Sequence, residues 1–440
     1  MREVVFLASA KKQTLLLTCV NTVVRAIGLA MRVFFSRLLG AEIMGIVELA
    51  SGVHMIAITP LTSGLPLAVS RMTAKASAEK RTLPLSAALY LARMASLVLI
   101  PALLLLSPLI AGVMHDARVL PSLWMSAPCI LILGYSAAYN GYCYGTDQSW
   151  LPAMSELIEQ AARFAVAVGL ILWLRRLTAA WSAAIPVFAT MVAEILGLVF
   201  VLGILRLPLA KREKYDSFIR PVFRLSAPTT LSRLIATGLR SLTAMLLPVR
   251  LQFSGLSAAE ATARLGMLNG MVLPIVMLPC IFTSALSMVM LPRFARVEKQ
   301  PAALRGLLRS CLGSTFCVGA ACAGLIYLCA PFLSIRIYRL AELTSLFRLS
   351  SLLALPMSLS HVTAGIVAGF GRQKQAMYGA LVSSCVTLLL TWLLTGVPVM
   401  RLAGAVIALG AGQVITLVWN LCIILARSRE AGAAVDDKSV

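Results

Sequence analysis

The sequence predicts an all-α polytopic membrane protein of about twelve transmembrane helices in two six-helix lobes related as a parallel repeat. Three observations carry that expectation. The 440 residues are 60% hydrophobic and only 13% charged, about half the roughly 25% charge of a soluble domain, and mean hydropathy is +0.90. The apolar residues fall into runs of helix length rather than alternating segments, which excludes a closed barrel. The two halves also repeat one another at matching places. This composition excludes a soluble enzyme, a disordered chain and a disulfide-rich secreted domain.

A span takes about 20 mostly apolar residues. Twelve runs qualify, at roughly 15–36, 46–69, 85–107, 121–141, 152–174, 182–205, 222–247, 265–290, 307–333, 344–368, 376–398 and 402–426. Ahead of the first, residues 4–8 are too short for the core of a cleavable signal. Lys11 and Lys12 stand directly before the span, as in a start anchor rather than an export signal. The longest polar connection lies midway and holds Arg206, Lys211, Arg212, Glu213, Lys214, Asp216 and Arg220. It divides the chain into an N-terminal lobe 1–205, a cytoplasmic linker 206–221 and a C-terminal lobe 222–426. A cytoplasmic tail 427–440 follows and is expected to be disordered.

The 39 basic against 17 acidic residues leave a net charge of +22. Such a balance points either to nucleic acid or to positive cytoplasmic loops, and placement decides. With the N-terminus inside, all nine lysines fall on the cytoplasmic side, Lys299 and Lys438 included, whereas the outer connections hold only arginines such as Arg118, Arg175 and Arg176. The excess is spread over short loops, so it reads as an N-in, C-in topology in a bacterial cytoplasmic membrane, and no nucleic-acid partner is expected.

The ten cysteines include no C-x-x-C pair, and most sit inside apolar runs, so they read as small buried hydrophobes. His54, His115 and His361 are too far apart for a local metal motif. No nucleophile–base set or phosphate loop appears. Neither an enzyme nor a cofactor is expected, beyond a coupling Na+ or H+ or the membrane potential.

The internal repeat rests on four matches. Gly45 and Thr62-Ser63-Gly64-Leu65 in span two are offset by 221 positions from Gly266 and Thr283-Ser284-Ala285-Leu286 in span eight. Gly141-x-x-x-Gly145 in span four answers Gly365-x-x-x-Gly369 in span ten, and Arg25 with Arg32 answers Arg233 with Arg240. Because six is even, the halves enter the membrane in the same sense, as lobes flanking a central cavity do.

Charge inside a span costs at least about 2.5–3.5 kcal/mol, so it faces a cavity or a partner. Arg25 and Arg32 lie two helical turns apart on one face, and so do Arg233 and Arg240. These guanidiniums either line a cavity, where their fork suits a diphosphate headgroup, or snorkel and pair with acids. Glu156, Glu159 and Arg163 share one face of span five, with Glu159 and Arg163 at i,i+4. They form either a network that moves between access states or a structural clamp. Glu48 and Glu194 are further intramembrane carboxylates, each suited to a coupling cation, a proton or an arginine. Gly64, Pro66, Pro274 and Pro279 interrupt long spans and are hinge candidates.

Several of these stretches resemble a known family. Arg25-x-x-Gly28-x-x-x-Arg32, Ser63-Gly64-Leu65-Pro66 running to Arg71, Gly141-Tyr142-x-x-Gly145 running to Glu159-Gln160-x-x-Arg163, Pro228 to Arg233 and Glu260 to Gly270 are similar to its signature segments. The chain is identified as a stage V sporulation protein B-like member of the multidrug/oligosaccharidyl-lipid/polysaccharide (MOP) flippase superfamily, related to the MurJ-type lipid II flippases. The resemblance implies a MATE/MurJ-like fold. It also implies flipping of a polyprenyl-diphosphate-linked saccharide by alternating access, in peptidoglycan, polysaccharide or spore-cortex assembly. It carries headgroup roles to Arg25, Arg32, Arg71 and Arg233, and lipids and cell-wall enzymes follow as partners. Asn140 departs from the arginine often found before Gly-Tyr. A cation-coupled exporter of drugs or metabolites on the same fold and a non-transporting scaffold for cell-wall enzymes are the alternatives.

Overall fold

The computed structural model describes residues 2–174, 177–207, 210–297 and 300–436, and the regular elements among them are all helical. Arg175, Arg176, Lys299 and Lys438, which enter the expected charge asymmetry, lie outside them. The chain runs through α1 (Arg2–Thr62), α2 (Leu65–Lys75), α3 (Thr82–Val113), α4 (Leu120–Ser126), α5 (Cys129–Gly145), α6 (Trp150–Trp173), α7 (Ala179–Leu205) and α8 (Arg212–Phe253). It continues through α9 (Ala258–Leu265), a π-helical turn (Gly266–Val272), α10 (Leu273–Val276), α11 (Leu278–Val297), α12 (Pro301–Phe332), α13 (Leu343–Ser351), α14 (Ala354–Gly369), α15 (Gln373–Thr395) and α16 (Arg401–Asp436).

Among the described residues, seven helices are long and apolar enough to cross a membrane, or nine when α4 with α5 and α13 with α14, each pair bent by 42°, count as single spans. The stretches that miss this measure do so for visible reasons. Spans one and two share the continuous α1–α2 stretch. Span five carries Glu156, Glu159 and Arg163, and span eight is broken into α9, the π turn, α10 and α11. Every predicted run falls on helix.

The 61 residues of α1 would extend about 90 Å if unbroken, about three times the hydrocarbon thickness. Gly40 interrupts it with φ 82° and ψ 172°, a backbone state closed to residues with a Cβ. Hydroxyls in these apolar helices are satisfied within their own helix: Thr59 donates to the Met55 carbonyl at 2.5 Å, Thr190 to Pro186 at 2.9 Å and Ser358 to Ala354 at 2.7 Å.

The chain divides into two compact units, 1–32 with 42–245 and 33–41 with 246–440. This division falls inside α8, whereas the expected lobes part at the 206–221 linker. In the second unit, Phe294, Leu304, Val362, Val367 and Phe370 centre a core joining α11, α12 and α14, with the rings of Phe294 and Phe370 edge to face at 6.2 Å. There too the Tyr338 hydroxyl donates to the Met271 carbonyl at 3.0 Å, which satisfies a backbone group of the π turn. α16 is assigned to Asp436. Glu430, Ala431, Ala433 and Ala434 are strong helix formers, and 437–440 lie outside the described residues.

Candidate functional site

Apart from Pro274 and Pro279, which lie in the second unit, the sequence-predicted residues belong to the first unit, on α1, α2, α6, α7 and α8 and at the break between α1 and α2. Arg25 and Arg32 lie on α1, Arg71 near the end of α2, and Arg233 with Arg240 on the apolar stretch of α8. Arg32 is half buried and its Nη2 is engaged by the Glu48 carboxylate of the same helix. Glu48 therefore neutralises an arginine, one of the roles open to it. Arg25 is exposed and acts electrostatically on Glu156. Arg71 and Arg233 are exposed with no acidic partner among the described residues. Arg240 is exposed and its Nε donates to its own Ala236 carbonyl at 3.3 Å. Arg71 and Arg233 thus carry guanidinium donors that no acid among the described residues takes up, and a guanidinium fork is the group that pairs bidentately with carboxylate or phosphate.

A second cluster joins α6 to α7. Ser155 donates to Glu159 Oε1 at 2.8 Å, and Arg163 Nη2 stands 3.6 Å from Glu194 Oε1. The partner of Arg163 is thus across the helix pair rather than at i,i+4. Glu159 is held by the serine one turn before it, which leaves the longer arginine to reach the neighbouring helix. Glu194 is buried, and Glu156 and Glu159 are half buried beside it. Arg163 Nε is buried without a hydrogen-bond partner among the described residues. Gly197 makes the approach of α7 possible, because a Cβ there would strike the Glu159 carboxylate and sit 2.6 Å from Ser155 Oγ. Among the described residues no three His, Cys, Asp or Glu side chains are grouped to hold a metal.

The helix breaks are packed, not loose. Gly64 separates α1 from α2 and lies against the Ser226 carbonyl of α8, where a Cβ has no room. Pro66 opens α2 at its first turn. A Cβ on Gly141 would lie 2.6 Å from the Pro66 carbonyl oxygen, and one on Gly145 2.7 Å from the Ser70 carbonyl oxygen. The small-residue motif of α5 therefore sits on the backbone of α2 one turn at a time. Pro274 and Pro279 occupy the first turns of α10 and α11, after the π turn.

Three groupings were not anticipated. The Gly64–Pro66 and Gly141–Gly145 motifs touch, although 75 positions separate Pro66 from Gly141. Arg118 donates to Asp116 Oδ1 and Oδ2 at 2.8 and 2.7 Å and to Glu42, and these carboxylates hold its pKa above the usual value. Arg220 and Arg224 line a cavity of their own. The signal for the last was the i,i+4 spacing of two arginines at the start of span seven.

A family model described as polysaccharide biosynthesis protein matches residues 10–298 of the chain. The chain belongs to the polysaccharide biosynthesis protein family. This family member is 28% identical over 304 residues to stage V sporulation protein B of Bacillus subtilis (strain 168), a match covering 66% of this chain and 58% of that relative. Its fold is similar to that of the lipid II flippase MurJ in an inward closed conformation, with a TM-score of 0.75 and 14% identity over 95% of this chain and 90% of that one. It is also similar to the inward-facing conformation of a multidrug resistance MATE family transporter of the MOP superfamily, with a TM-score of 0.73 and 14% identity over 93% and 99%. The family and the apolar helices together make the chain a multi-pass membrane protein, with a fold similar to those of MurJ and MATE transporters.

Proposed function

We propose that the protein is a flippase that carries a polyprenyl-diphosphate-linked saccharide from the cytoplasmic to the outer leaflet of the bacterial cytoplasmic membrane, by alternating access of two six-helix lobes. The observation that supports this most is Arg233 and Arg240. They lie in the apolar stretch of α8, exposed and without an acidic partner among the described residues, and charge at that depth requires water, protein or an anion. In this reading Arg25, Arg71, Arg233 and Arg240 receive the diphosphate, and Arg32 exchanges Glu48 for it. The tail stays in lipid while Gly64, Pro66, Pro274 and Pro279 absorb the rocking, and the Glu156–Glu159–Arg163–Glu194 network changes partners between states. Both termini are cytoplasmic, and the setting is peptidoglycan, polysaccharide or spore-cortex assembly beside cell-wall enzymes.

Energy comes from a coupling Na+ or H+ or from the membrane potential. The potential supplies about 2.3 kcal/mol per elementary charge per 100 mV and favours outward movement only of negative charge. With the cell interior negative, a dianionic headgroup moving outward is assisted, and arginines moving with it reduce that assistance.

The test is reconstitution in liposomes with a labelled polyprenyl-diphosphate saccharide. Arg25→Ala and Arg233→Ala are each expected to lower the translocation rate at least about tenfold, the equivalent of one lost charge-assisted contact of about 1.4 kcal/mol. Wild-type rates in both variants refute the arginine assignment. The buried Glu194 cluster favours a second reading, a cation-coupled exporter. It requires ion-dependent efflux of small molecules that Glu194→Gln abolishes.

A further inference from the structure

α2 and the start of α8 border an open, surface-facing cavity of about 550 Å3 lined by Met72, Arg220, Pro221, Arg224 and Leu225. All five residues belong to the first unit. The volume suits a small-molecule or headgroup site. Its chemistry is mixed: two guanidiniums one helical turn apart, set against a thioether, a proline ring and a leucine. The acid closest along the helix, Asp216, is engaged by Arg212 at 3.8 Å. Neither Arg220 nor Arg224 has an ion pair or side-chain hydrogen bond among the described residues. Elsewhere in this unit the arginines near acids are taken, Arg32 by Glu48, Arg118 by Asp116 and Glu42, and Arg163 by Glu194.

We infer that this cavity binds the phosphate or diphosphate of a membrane lipid, at a site separate from the arginines of α1 and from Arg233 and Arg240 farther along α8. Two forks with free donors recognise a phosphoryl group. The apolar wall of Met72, Pro221 and Leu225 takes the first segment of a lipid tail, which a soluble anion lacks. The position fits as well: the apolar stretch of α8 begins at about residue 222, so Arg220 and Arg224 straddle the depth of lipid headgroups. Naming the leaflet as cytoplasmic rests on the proposed orientation; the binding itself does not. The ligand class has two sources, an anionic phospholipid and the polyprenyl diphosphate cargo.

The test uses the full chain in detergent micelles, titrated separately with phosphatidylglycerol, a C55 polyprenyl diphosphate, phosphatidylcholine and inorganic pyrophosphate, and read by native mass spectrometry. Arg220→Gln/Arg224→Gln is expected to weaken binding of at least one anionic lipid by about tenfold or more, with phosphatidylcholine unchanged. Whichever lipid shows the loss is the source. Arg220→Lys/Arg224→Lys, which keeps the charge, recovers part of it. If the glutamine pair does not fold, Met72→Glu, which sets an acid against the same arginines, produces the loss instead. Undiminished binding of both anionic lipids in folded variants overturns the proposal, and so does pyrophosphate binding as tightly as the lipids. Translocation in Arg25→Ala and Arg233→Ala decides the transport reading independently, so one can fail while the other stands.

Discussion

Replacing Gly141 with alanine places one methyl group where the backbone of α2 already is. The added carbon would sit 2.6 Å from the Pro66 carbonyl oxygen, 2.8 Å from Pro66 Cα and 3.1 Å from its carbonyl carbon. An ordinary carbon–oxygen contact is about 3.3–3.6 Å, so relief needs a shift of roughly 0.7 Å or more. The three nearest atoms are all backbone, so no side chain can rotate away. Overpacking of this kind costs about 1–3 kcal/mol, and alanine returns about 0.8–1.0 kcal/mol of helix propensity. The net expectation is a loss of about 1–2 kcal/mol, the upper half of the range those terms leave. Gly169 on α6 is the control, because a Cβ there meets nothing within 4 Å. Gly169→Ala is expected to be neutral or to gain up to about 1 kcal/mol. Both variants are unfolded with denaturant in detergent and followed by tryptophan fluorescence. If Gly141→Ala is as stable as wild type, or shifts in the same direction as Gly169→Ala, the packing argument is wrong.

Two further outcomes follow from the charged clusters. Glu194→Ala leaves Arg163 facing two half-buried carboxylates without its nearest acid. A fully buried pair broken this way costs about 3–5 kcal/mol, and the partial exposure of Arg163 reduces the expected loss to about 1–3 kcal/mol; an unchanged denaturation midpoint would show that the network contributes nothing. At the start of α9, the Ser257 amide and hydroxyl both donate to Glu260, at 2.9 and 2.8 Å, and hold its carboxyl below the usual range. The cap's contribution is therefore complete above the unfolded glutamate pKa of about 4.3 and is lost as pH falls through the lower folded value. Amide exchange in α9, corrected for intrinsic rates, should be level from pH 8 to 6 and rise in acid, and Ser257→Ala should remove that acid step. Protection that stays level to pH 3 would contradict the cap.

Apolar run length made the helices legible, because a bilayer demands about 20 residues regardless of what packs against them. It did not show where helices fuse or break. Gly40 alone turns spans one and two within a single helix, and a glycine with an unusual φ reads in sequence like any other. The charged residues inside spans were equally legible, but their partners were not. Nothing in the spacing of Glu159 and Arg163 reveals that Ser155 competes for the glutamate and that Glu194 on the next helix meets the arginine. The contact of Gly141 with Pro66 was hidden for the same reason, since each motif was recognisable alone and their meeting is a property of α2 packed on α5. Arg220 reads in sequence as linker charge that topology already explains, and nothing in the sequence sets it with Arg224 against Met72 of α2.

The α6–α7 clamp also bears on how the chain enters the membrane in the first place. α6 carries Glu156, Glu159 and Arg163, and at up to about 2.5–3.5 kcal/mol each, the value for a helix centre, these charges add a penalty of at most roughly 7.5–10.5 kcal/mol to leaving the translocon alone. The relief for Arg163 is Glu194, some 30 residues later, and the groove that receives Glu159 is Gly197 on the same following helix. Span five is therefore expected to insert better together with span six than alone, because only the pair brings Arg163 and Glu194 together. A chain truncated between them is expected to insert span five less efficiently than one that includes span six, and equal insertion of both in a glycosylation-mapping assay would contradict this.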